Sequence, residues 1–481
     1  DAGGARSIRL GSDRTGDVVR RDRVGVGIDF GTTNSAAAVF DGETVTLIAL
    51  ERDAAIMPSA TYIDRELQTT TGQDAIDHYI QDNTGRTVEL IPEVVAETSQ
   101  FVEHGDSEHP APVETTTQKI YGAAVVDSGL QGRLFRGTKR LLGDSQVRRL
   151  MVFDHPFRLV ALITPILLHI RKSLNRAIGP LGDAHLGHPV NFEGREEFRN
   201  KTALTRLAEA YKYAGVTEQH FYAEPIAAAV SYLAAEPDVS GEMLFTLDFG
   251  GGTLDFCVLR RAGQHFDVVT THGIALGGDH IDQRLFRELL FPLLGKGERW
   301  RRRGMDREIE THFPFEDYED LLLNWAVTYT LNQNRYTTPV FDRIEQGGPA
   351  AVKFKRLREL ISQNLSYVVF QAIKDVKAEL STATEAVLDI PELDVEIRLT
   401  RGDFESLIED LLGQVEQALG DTLASAGIRE DDIDIVLCTG GSSLIPAVRT
   451  ILEEHFPNRV VEHDPFTSVA AGLAIASYRG W

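Results

Sequence analysis

The 481-residue chain contains only two cysteines, Cys257 and Cys438, and each lies inside an apolar run. So few cysteines exclude a disulfide-stapled scaffold in a chain of this size, and they are typical of a reducing compartment. We therefore expect two free thiols that serve as small core residues, in a cytoplasmic protein. No signal peptide is visible, although the sequence begins at Asp1 without a methionine.

Basic residues are also in short supply, because 49 Lys and Arg stand against 72 Asp and Glu and give a formal net charge of -23. Such an acidic chain argues against non-specific binding to nucleic acid or to an anionic membrane. Long uncharged apolar runs are absent as well. The most apolar helical pattern, residues 157–179, carries five basic or histidine side chains, so it predicts an amphipathic core helix rather than a membrane span.

Several common ligand motifs are missing. The chain has no G-x-x-x-x-G-K-[ST] run, and the glycines of GVGIDFG, which ends at Gly31, have the wrong spacing for a dinucleotide fingerprint. Its 14 histidines include no H-x-x-x-H pair and no cluster with cysteine. A zinc site is therefore not expected.

What the sequence does contain is a pair of related glycine turns. Residues 28–42 read IDFGTTNSAAAVFDG and residues 247–261 read LDFGGGTLDFCVLRR. Each runs from an apolar–Asp–Phe–Gly start through small residues into a second apolar strand. The second begins 219 positions after the first, which predicts a duplicated architecture with one hairpin in each half.

These turns predict a phosphate site. Glycines let the backbone approach an anion and direct its N–H groups toward that anion. Two such hairpins that face each other would clamp a polyphosphate from both sides. Asp29 and Asp248 would then supply two carboxylates for a hydrated Mg²⁺ ion that bridges phosphate oxygens.

Strand and helix patterns alternate along the rest of the chain, which predicts an α/β fold with more than one domain. Helical patterns cover about 196–215, 352–380 and 402–427, and the last opens at Asp403 as a capping residue. Residues 434–456 read as a strand, a Gly-Gly-Ser turn and a helix.

The two turns resemble the phosphate motifs of the actin–hexokinase–heat-shock ATPase superfamily, and within it those of the DnaK-type heat-shock protein 70 family. GIDFGTTNS resembles the first phosphate motif of that family, and LDFGGGTLDF resembles the second. Four more stretches match in the family's order: FRGTKRLLG, YAEPIAAAVSYL, IALGGDHID and VLCTGGSSLIP. The resemblance spans residues 24 to about 478, and it implies an α/β, actin-like ATPase fold with two duplicated ribonuclease-H-like lobes around a nucleotide cleft.

The resemblance also implies a domain division: a flexible tail at 1–23, lobe I at 24–239 with a C-terminal return at 461–481, and lobe II at 240–460. Two polar or irregular stretches, about 64–120 and 295–350, are read as insertions in the outer parts of the lobes. The sequence ends at VAAGLAIASYRGW, so the resemblance leads us to expect a chain without the family's linker, peptide-binding domain and helical lid. In this respect it resembles the YegD-like branch.

Roles follow position by position from the resemblance. Lys139 and Glu224 match the catalytic lysine and glutamate, and Thr253 and Asp255 join them as catalytic residues near the γ-phosphate and the water. Asp29 and Asp248 would act in catalysis and hold Mg²⁺ through water. The implied nucleotide-binding residues are Gly31, Thr32, Thr33, Asn34, Gly250, Gly251, Gly252, Gly277, Gly278, Lys377, Ser381, Gly440, Gly441, Ser442 and Leu444.

Four positions around the nucleotide base depart from the family pattern. Ala378 and Leu444 stand where the family sandwiches adenine between two arginines. Lys374 replaces a glutamate, and Phe466 replaces an aspartate. We therefore expect the phosphate chemistry to be retained and the recognition of the base to be altered.

These observations predict an ATP-binding, slowly ATP-hydrolysing, chaperone-like protein. Its cofactors would be ATP or ADP and Mg²⁺, its further partners would be client proteins or co-chaperones, and neither nucleic acid nor a membrane is expected as a partner. An actin-like filament protein is one alternative, which polymerisation on addition of nucleotide would reveal. A small-molecule kinase is another, and it would need an acceptor site and a catalytic base; the Lys139–Glu224 pair favours water as the acceptor.

Overall fold

Strands and helices alternate along the chain in a computed structural model that describes residues 7–9, 24–52, 54–88, 90–102, 114–192, 198–303 and 308–481. The strands are β1 (Ser7–Arg9), β2 (Gly25–Phe30), β3 (Asn34–Phe40), β4 (Thr44–Leu47), β5 (Met57–Pro58), β6 (Ala60–Asp64), β7 (Thr69–Thr71), β8 (Leu90–Val102), β9 (Glu114–Asp127), β10 (Gly132–Arg136), β11 (Arg149–Val152), β12 (His155–Arg158), β13 (Asp183–His188), β14 (Glu218–Ala223), β15 (Met243–Phe249), β16 (Leu254–Ala262), β17 (His265–Ile274), β18 (Arg299–Arg303), β19 (Glu308–His312), β20 (Glu385–Ile390), β21 (Val395–Thr400), β22 (Ile435–Thr439) and β23 (Val460–Glu462). The helices are α1 (Gly72–Asn83), α2 (Leu159–Ile178), α3 (Arg199–Tyr213), α4 (Glu224–Ala235), α5 (Gly278–Leu285), α6 (Glu316–Leu322), α7 (Asn334–Glu345), α8 (Ala351–Ser362), α9 (Ser366–Thr382), α10 (Arg401–Leu407), α11 (Glu409–Ala426), α12 (Pro446–His455) and α13 (Ser468–Arg479).

The chain divides into two compact units. The first contains Asp1–Gln81, Gly132–Leu293 and Tyr367–Trp481, and the second contains Asp82–Gln131 and Leu294–Ser366. Inside the first unit, two sheets share a plan of five strands, in the orders β4-β3-β2-β13-β14 and β17-β16-β15-β22-β23; the first sheet also has β1 beside β4 and β5 beside β3. Within this shared plan the first three strands along the chain run antiparallel, and two later strands join in parallel beside the first of them. The predicted duplication is therefore confirmed in the sheets.

Helix α13 packs against strand β2 and helix α4 through very short contacts. A Cβ atom added at Gly472 would overlap the carbonyl oxygen of Ala227, and one added at Gly27 would lie 2.5 Å from the backbone nitrogen of Ala474. Glycine is required at both places because the backbones approach each other directly. This packing fixes the amino end of α4, where Glu224 lies, beside the strand that carries Asp29.

The second unit contains the hairpins β8–β9 and β18–β19 and the helices α6, α7 and α8. Its core includes an aromatic cluster in which the ring centroids of Phe313 and Phe354 lie 4.6 Å apart. Much of the stretches 64–120 and 295–350 is therefore regular structure, contrary to the sequence reading. The sequence predicts the most loop-like piece at 103–117; its residues 114–117 belong to β9, and 103–113 lie outside the described residues.

Several local predictions can be compared with the structure. The amphipathic helix at 157–179 is confirmed as α2, and both cysteines are free and buried. The helical pattern at 352–380 is broken into α8 and α9 around Asn364, which has a positive φ of 52°. Asp403 is not the capping residue. Thr400 caps α10, and Asp403, the third residue of the helix, accepts a hydrogen bond from the backbone N–H of Thr400 with its carboxylate.

Of the predicted tail at 1–23, Ser7–Arg9 forms β1 beside β4, and the other positions lie outside the described residues. No helix in the described ranges is long and apolar enough to cross a membrane. The division into two lobes at residue 240 stays a prediction.

Candidate active site

The tips of the two predicted hairpins meet. Gly31–Thr33 connects β2 to β3, and Gly250–Thr253 connects β15 to β16. A Cβ atom added at Gly251 would lie 2.8 Å from Thr33 Oγ1, so the second turn touches the first. The sequence predicted two glycine turns that face each other, and the structure brings the two turns together.

Neighbouring loops hold both turns in place. Ser59 donates from its hydroxyl to the carbonyl of Gly31 at 2.7 Å and from its backbone N–H to that of Thr33 at 2.8 Å. On the other side, the N–H of Gly278 donates to the carbonyl of Gly250 at 2.9 Å. A side chain at Gly277 would overlap the backbone of Gly251. Each turn is therefore a fixed element rather than a loose loop.

Three carboxylates and one lysine gather beside the turns. Asp29 and Asp248 are the penultimate residues of β2 and β15, so their side chains lie just before the glycine turns. Glu224 is the first residue of α4, and it accepts a hydrogen bond of 2.7 Å from Lys139 Nζ. The Lys139 side chain is only 6% exposed, which rules out an ordinary surface lysine.

A positive-φ glycine brings Lys139 into the site. Gly137 has a φ of 64° and ends strand β10, and a 3₁₀ turn over Thr138–Leu141 follows it. Gly187, at the end of β13, lies between Glu224 and Asp29, since a Cβ atom there would be 3.3 Å from Glu224 Cγ and 3.6 Å from Asp29 Oδ1. The residues that meet here come from five separate elements of the first unit.

The carboxylates are crowded, and their pKa values show it. Burial raises the pKa of Asp29 to about 7, and the negative charges of Glu224 and Asp248 add to this effect, while Lys139 opposes it. Burial likewise raises the pKa of Asp248 to about 7, with further contributions from the charges of Asp255 and Glu224. The cluster therefore carries more negative charge than its lysine can neutralise.

This charge imbalance fits a hydrated divalent cation. Among the described residues, no group of three or more His, Cys, Asp or Glu side chains is placed to ligate a metal ion directly. Mg²⁺ commonly keeps several waters and is bound by one or two carboxylates together with substrate phosphates. Asp29 and Asp248 are a suitable pair for an ion held in that way.

A second group of predicted residues adjoins the turns through Gly278. A Cβ atom at Gly278 would lie 2.5 Å from Ser442 Oγ and 3.2 Å from Lys377 Nζ. Lys377 donates to the buried carboxylate of Asp282 at 2.6 Å, so part of its charge is already neutralised inside the protein. Ser381 lies one helical turn further along α9 and donates to the carbonyl of Lys377 at 3.2 Å.

The turn after β22 completes this side of the site. Gly440 has a φ of 79°, and a Cβ atom there would lie 2.7 Å from Asp248 Oδ1, so this turn also needs glycine for a close approach. Gly441 and Ser442 follow, and Leu444 ends the turn with a side chain that is 39% exposed.

A cavity of about 540 Å³ opens beside the carboxylates, and its walls include Glu224, Asp248, Thr253 and Asp255. Sequence reasoning missed two contributors. Arg140 lines the cavity, and its guanidinium group lies where a side chain at Gly252 would stand. Its position directly after Lys139 was the available signal. The segment after β13, residues 189–192, also lines the cavity, and only its place at the end of a strand could have indicated this.

A comparison with protein families supports this reading of the second hairpin. The family model for the Hsp70 protein matches residues 198–294 and 359–478. These two segments contain Glu224, the second glycine turn, α9 and the turn after β22, whereas the first hairpin and Lys139 lie outside them. Together with the two sheets of identical plan, the match shows that this chain belongs to the Hsp70 family and has its actin-like ATPase fold.

Proposed function

We propose that this Hsp70-family chain binds ATP or ADP together with Mg²⁺ between the two glycine turns and hydrolyses ATP slowly to ADP and phosphate. One observation carries the proposal: the turns touch beside a cluster in which the Lys139–Glu224 pair faces Asp29 and Asp248. Phosphoryl transfer needs mainly positioning and electrostatic stabilisation, and this cluster offers both.

Each residue has a role in the proposal. Backbone N–H groups of residues 31–34 and 251–253, with the hydroxyls of Thr32, Thr33 and Thr253, hold the phosphates, while the N–H of Gly250 closes the turn onto the Thr253 carbonyl. Asp29 and Asp248 would hold a Mg²⁺ ion through water, and such an ion would supply positive charge next to the phosphates. Lys139 stabilises the charge on the γ-phosphate, and its pairing with Glu224 keeps it aimed at the reacting end.

The attacking water is proposed to lie on the cavity side of the γ-phosphate. Glu224, Asp248 and Asp255 all line this cavity, so each can accept a hydrogen bond from a water there. The side chain of Asp255 is exposed to the cavity, and Gly273 opposite it leaves room for the carboxylate. The cavity therefore supplies both the nucleophile and the groups that orient it.

The proposal is tested by titrating the protein with ATP and ADP by calorimetry, with and without Mg²⁺. Asp248→Ala should weaken binding of the Mg-nucleotide, and Thr253→Ala should impair handling of the γ-phosphate. Asp238→Ala is a matched control, because Asp238 is exposed and lies outside the site. Unchanged affinity and turnover in both site variants would overturn the assignment.

The cavity also favours a second candidate, a small-molecule kinase of the same superfamily. A volume of about 540 Å³ beside the carboxylates is large enough for an acceptor with a hydroxyl group. The two functions are separated by measuring phosphate release without any added acceptor. Release of one phosphate for each ATP consumed supports hydrolysis, whereas turnover that begins only on addition of small polyols supports the kinase.

We further propose client proteins or co-chaperones as partners and the cytoplasm as the location. Membership of the Hsp70 family supports the first proposal, and the two free, buried cysteines fit the second. Cross-linking of the purified protein in cell extract, with ATP and with ADP, would test whether any partner depends on the nucleotide state.

A further inference from the structure

Phe466 is an aromatic side chain exposed at the edge of the candidate site. It is 49% exposed, whereas Phe249 and Phe456 in the same part of the first unit are 1% and 0% exposed. A single exposed apolar residue needs no explanation by itself. The position of Phe466 relative to the site residues is what makes it informative.

The loop that carries Phe466 is held firmly. The carboxylate of Asp464 accepts hydrogen bonds from the backbone N–H groups of Phe466 and Thr467, both at 3.1 Å, and from the Thr467 hydroxyl at 2.5 Å. The N–H of Gly440 donates to the carbonyl of Pro465 at 2.7 Å. The loop is therefore attached to the glycine turn after β22, and its aromatic residue is presented on a fixed backbone.

The ring of Phe466 lies against Gly441. A Cβ atom added at Gly441 would be 2.7 Å from Phe466 Cε1 and 3.0 Å from Cζ, so the ring occupies the space that a side chain would take. The preceding residue, Gly440, approaches Asp248, and the following residue, Ser442, approaches Gly278. One short turn thus connects the carboxylate end of the site, its Lys377 side and the exposed ring.

We propose that Phe466 is the platform on which the base of the bound nucleotide stacks, with Leu444 as an apolar neighbour on the same turn. This inference rests on the proposed function, since it requires a nucleotide whose phosphates lie at the glycine turns. A ring at this place suits a flat base, because stacking needs no donor or acceptor and every base has a π-face. Ala378, which is exposed on α9 one residue after Lys377, has no charged side chain that could bind the base in place of the ring.

The proposal has a consequence for specificity. A stacking platform discriminates weakly between purines, because it does not read the hydrogen-bonding edge of the base. We therefore expect Mg-ATP and Mg-GTP to bind with affinities within about tenfold of each other. Tripolyphosphate, which has no base, should bind without any contribution from Phe466.

The test is a calorimetric titration of the full chain with Mg-ATP, Mg-GTP and Mg-tripolyphosphate. Phe466→Ala should weaken both nucleotides by about tenfold or more, because stacking on one aromatic side chain is typically worth that much. Phe466→Trp should keep the affinity, since it retains an aromatic face. Phe198→Ala is the matched control, because Phe198 is 68% exposed and lies at the start of α3, outside the glycine turns and the turn after β22.

The outcomes separate the inference from the proposed function. Unchanged ATP affinity in Phe466→Ala, or an equal loss for tripolyphosphate, would overturn the stacking platform and leave the nucleotide site standing. A wild-type chain that binds neither ATP nor tripolyphosphate would overturn both. The melting temperature of each variant, measured without ligand, shows whether a loss of affinity comes from a loss of fold.

Discussion

Replacing Asp248 by Asn should stabilise the ligand-free protein while it removes Mg-nucleotide binding. The pKa of Asp248 is raised from 3.8 to about 7 in the folded chain, chiefly by burial. Between these two values the unfolded chain has already lost the proton that the folded chain still holds. Stability contributed by this group is therefore fully present below pH 3.8, falls as the pH rises toward 7, and stays low above it.

The size of the effect follows from that difference. A pKa difference of one between the folded and unfolded chains corresponds to about 1.4 kcal/mol. The rise from 3.8 to about 7 therefore lowers the unfolding free energy of the wild type by about 4 kcal/mol at pH 8. An asparagine carries no charge and keeps a similar shape, so it avoids this cost. We therefore expect a gain of about 2–4 kcal/mol at pH 8, where the carboxylate of the wild type is ionised, and of about 1 kcal/mol at pH 4.5, where the folded wild type still holds the proton.

The assay is urea unfolding of the wild type and of Asp248→Asn at both pH values, without nucleotide or metal. Asp238→Asn, on an exposed carboxylate, should change stability little at either pH. Mg-ATP at a hundred times its Kd should then stabilise the wild type by about 2.7 kcal/mol and the Asp248→Asn variant by much less. A variant no more stable than the wild type at pH 8, or equally stabilised at both pH values, would refute the reasoning.

Three further predictions concern the reacting end, the base and the packing. Lys139→Ala should lower single-turnover ATP hydrolysis by about 10²-fold or more with binding largely kept, because a preorganised charge is lost at the transferring group; the exposed Lys172→Ala is the control, and normal hydrolysis would remove Lys139 from the mechanism. Leu444→Arg should strengthen ATP binding in a calorimetric titration, since a cation over a ring contributes roughly 0.5–2 kcal/mol; an equal gain for tripolyphosphate would mean that the arginine acts only through its charge. Gly472→Ala should lower the free energy of unfolding by about 1–3 kcal/mol because its Cβ would overlap the Ala227 carbonyl; an unchanged urea midpoint would contradict this.

The glycine turns could be predicted from the sequence because their signal is local. The Asp-Phe-Gly start, the small residues and the apolar strands that flank them are all within about fifteen positions, and the repetition of the pattern indicates the duplicated sheets. Helix α2 was predictable for the same reason, since its apolar residues follow a regular spacing.

Other features depend on contacts that no local pattern records. Arg140 reaches Gly252 only because the 3₁₀ turn at Lys139 folds against the second hairpin. The helix break at Asn364 requires a positive φ. Asparagine tolerates this conformation, but an asparagine in the sequence does not by itself predict it. In the second unit, α8 overlaps the predicted helical pattern at 352–380, whereas α6 was missed because it carries many acidic residues and shows little apolar periodicity.

Helix α13 has a consequence for how motion spreads through the first unit. It touches β2 and α4 backbone to backbone at Gly27 and Gly472, with no long side chains between them to absorb a displacement. Close-packed interiors transmit strain rather than cushion it. A tilt of this last helix therefore shifts the strand that bears Asp29 and the helix that begins at Glu224 as one body. Helix α13 therefore couples the position of Asp29 to that of Glu224.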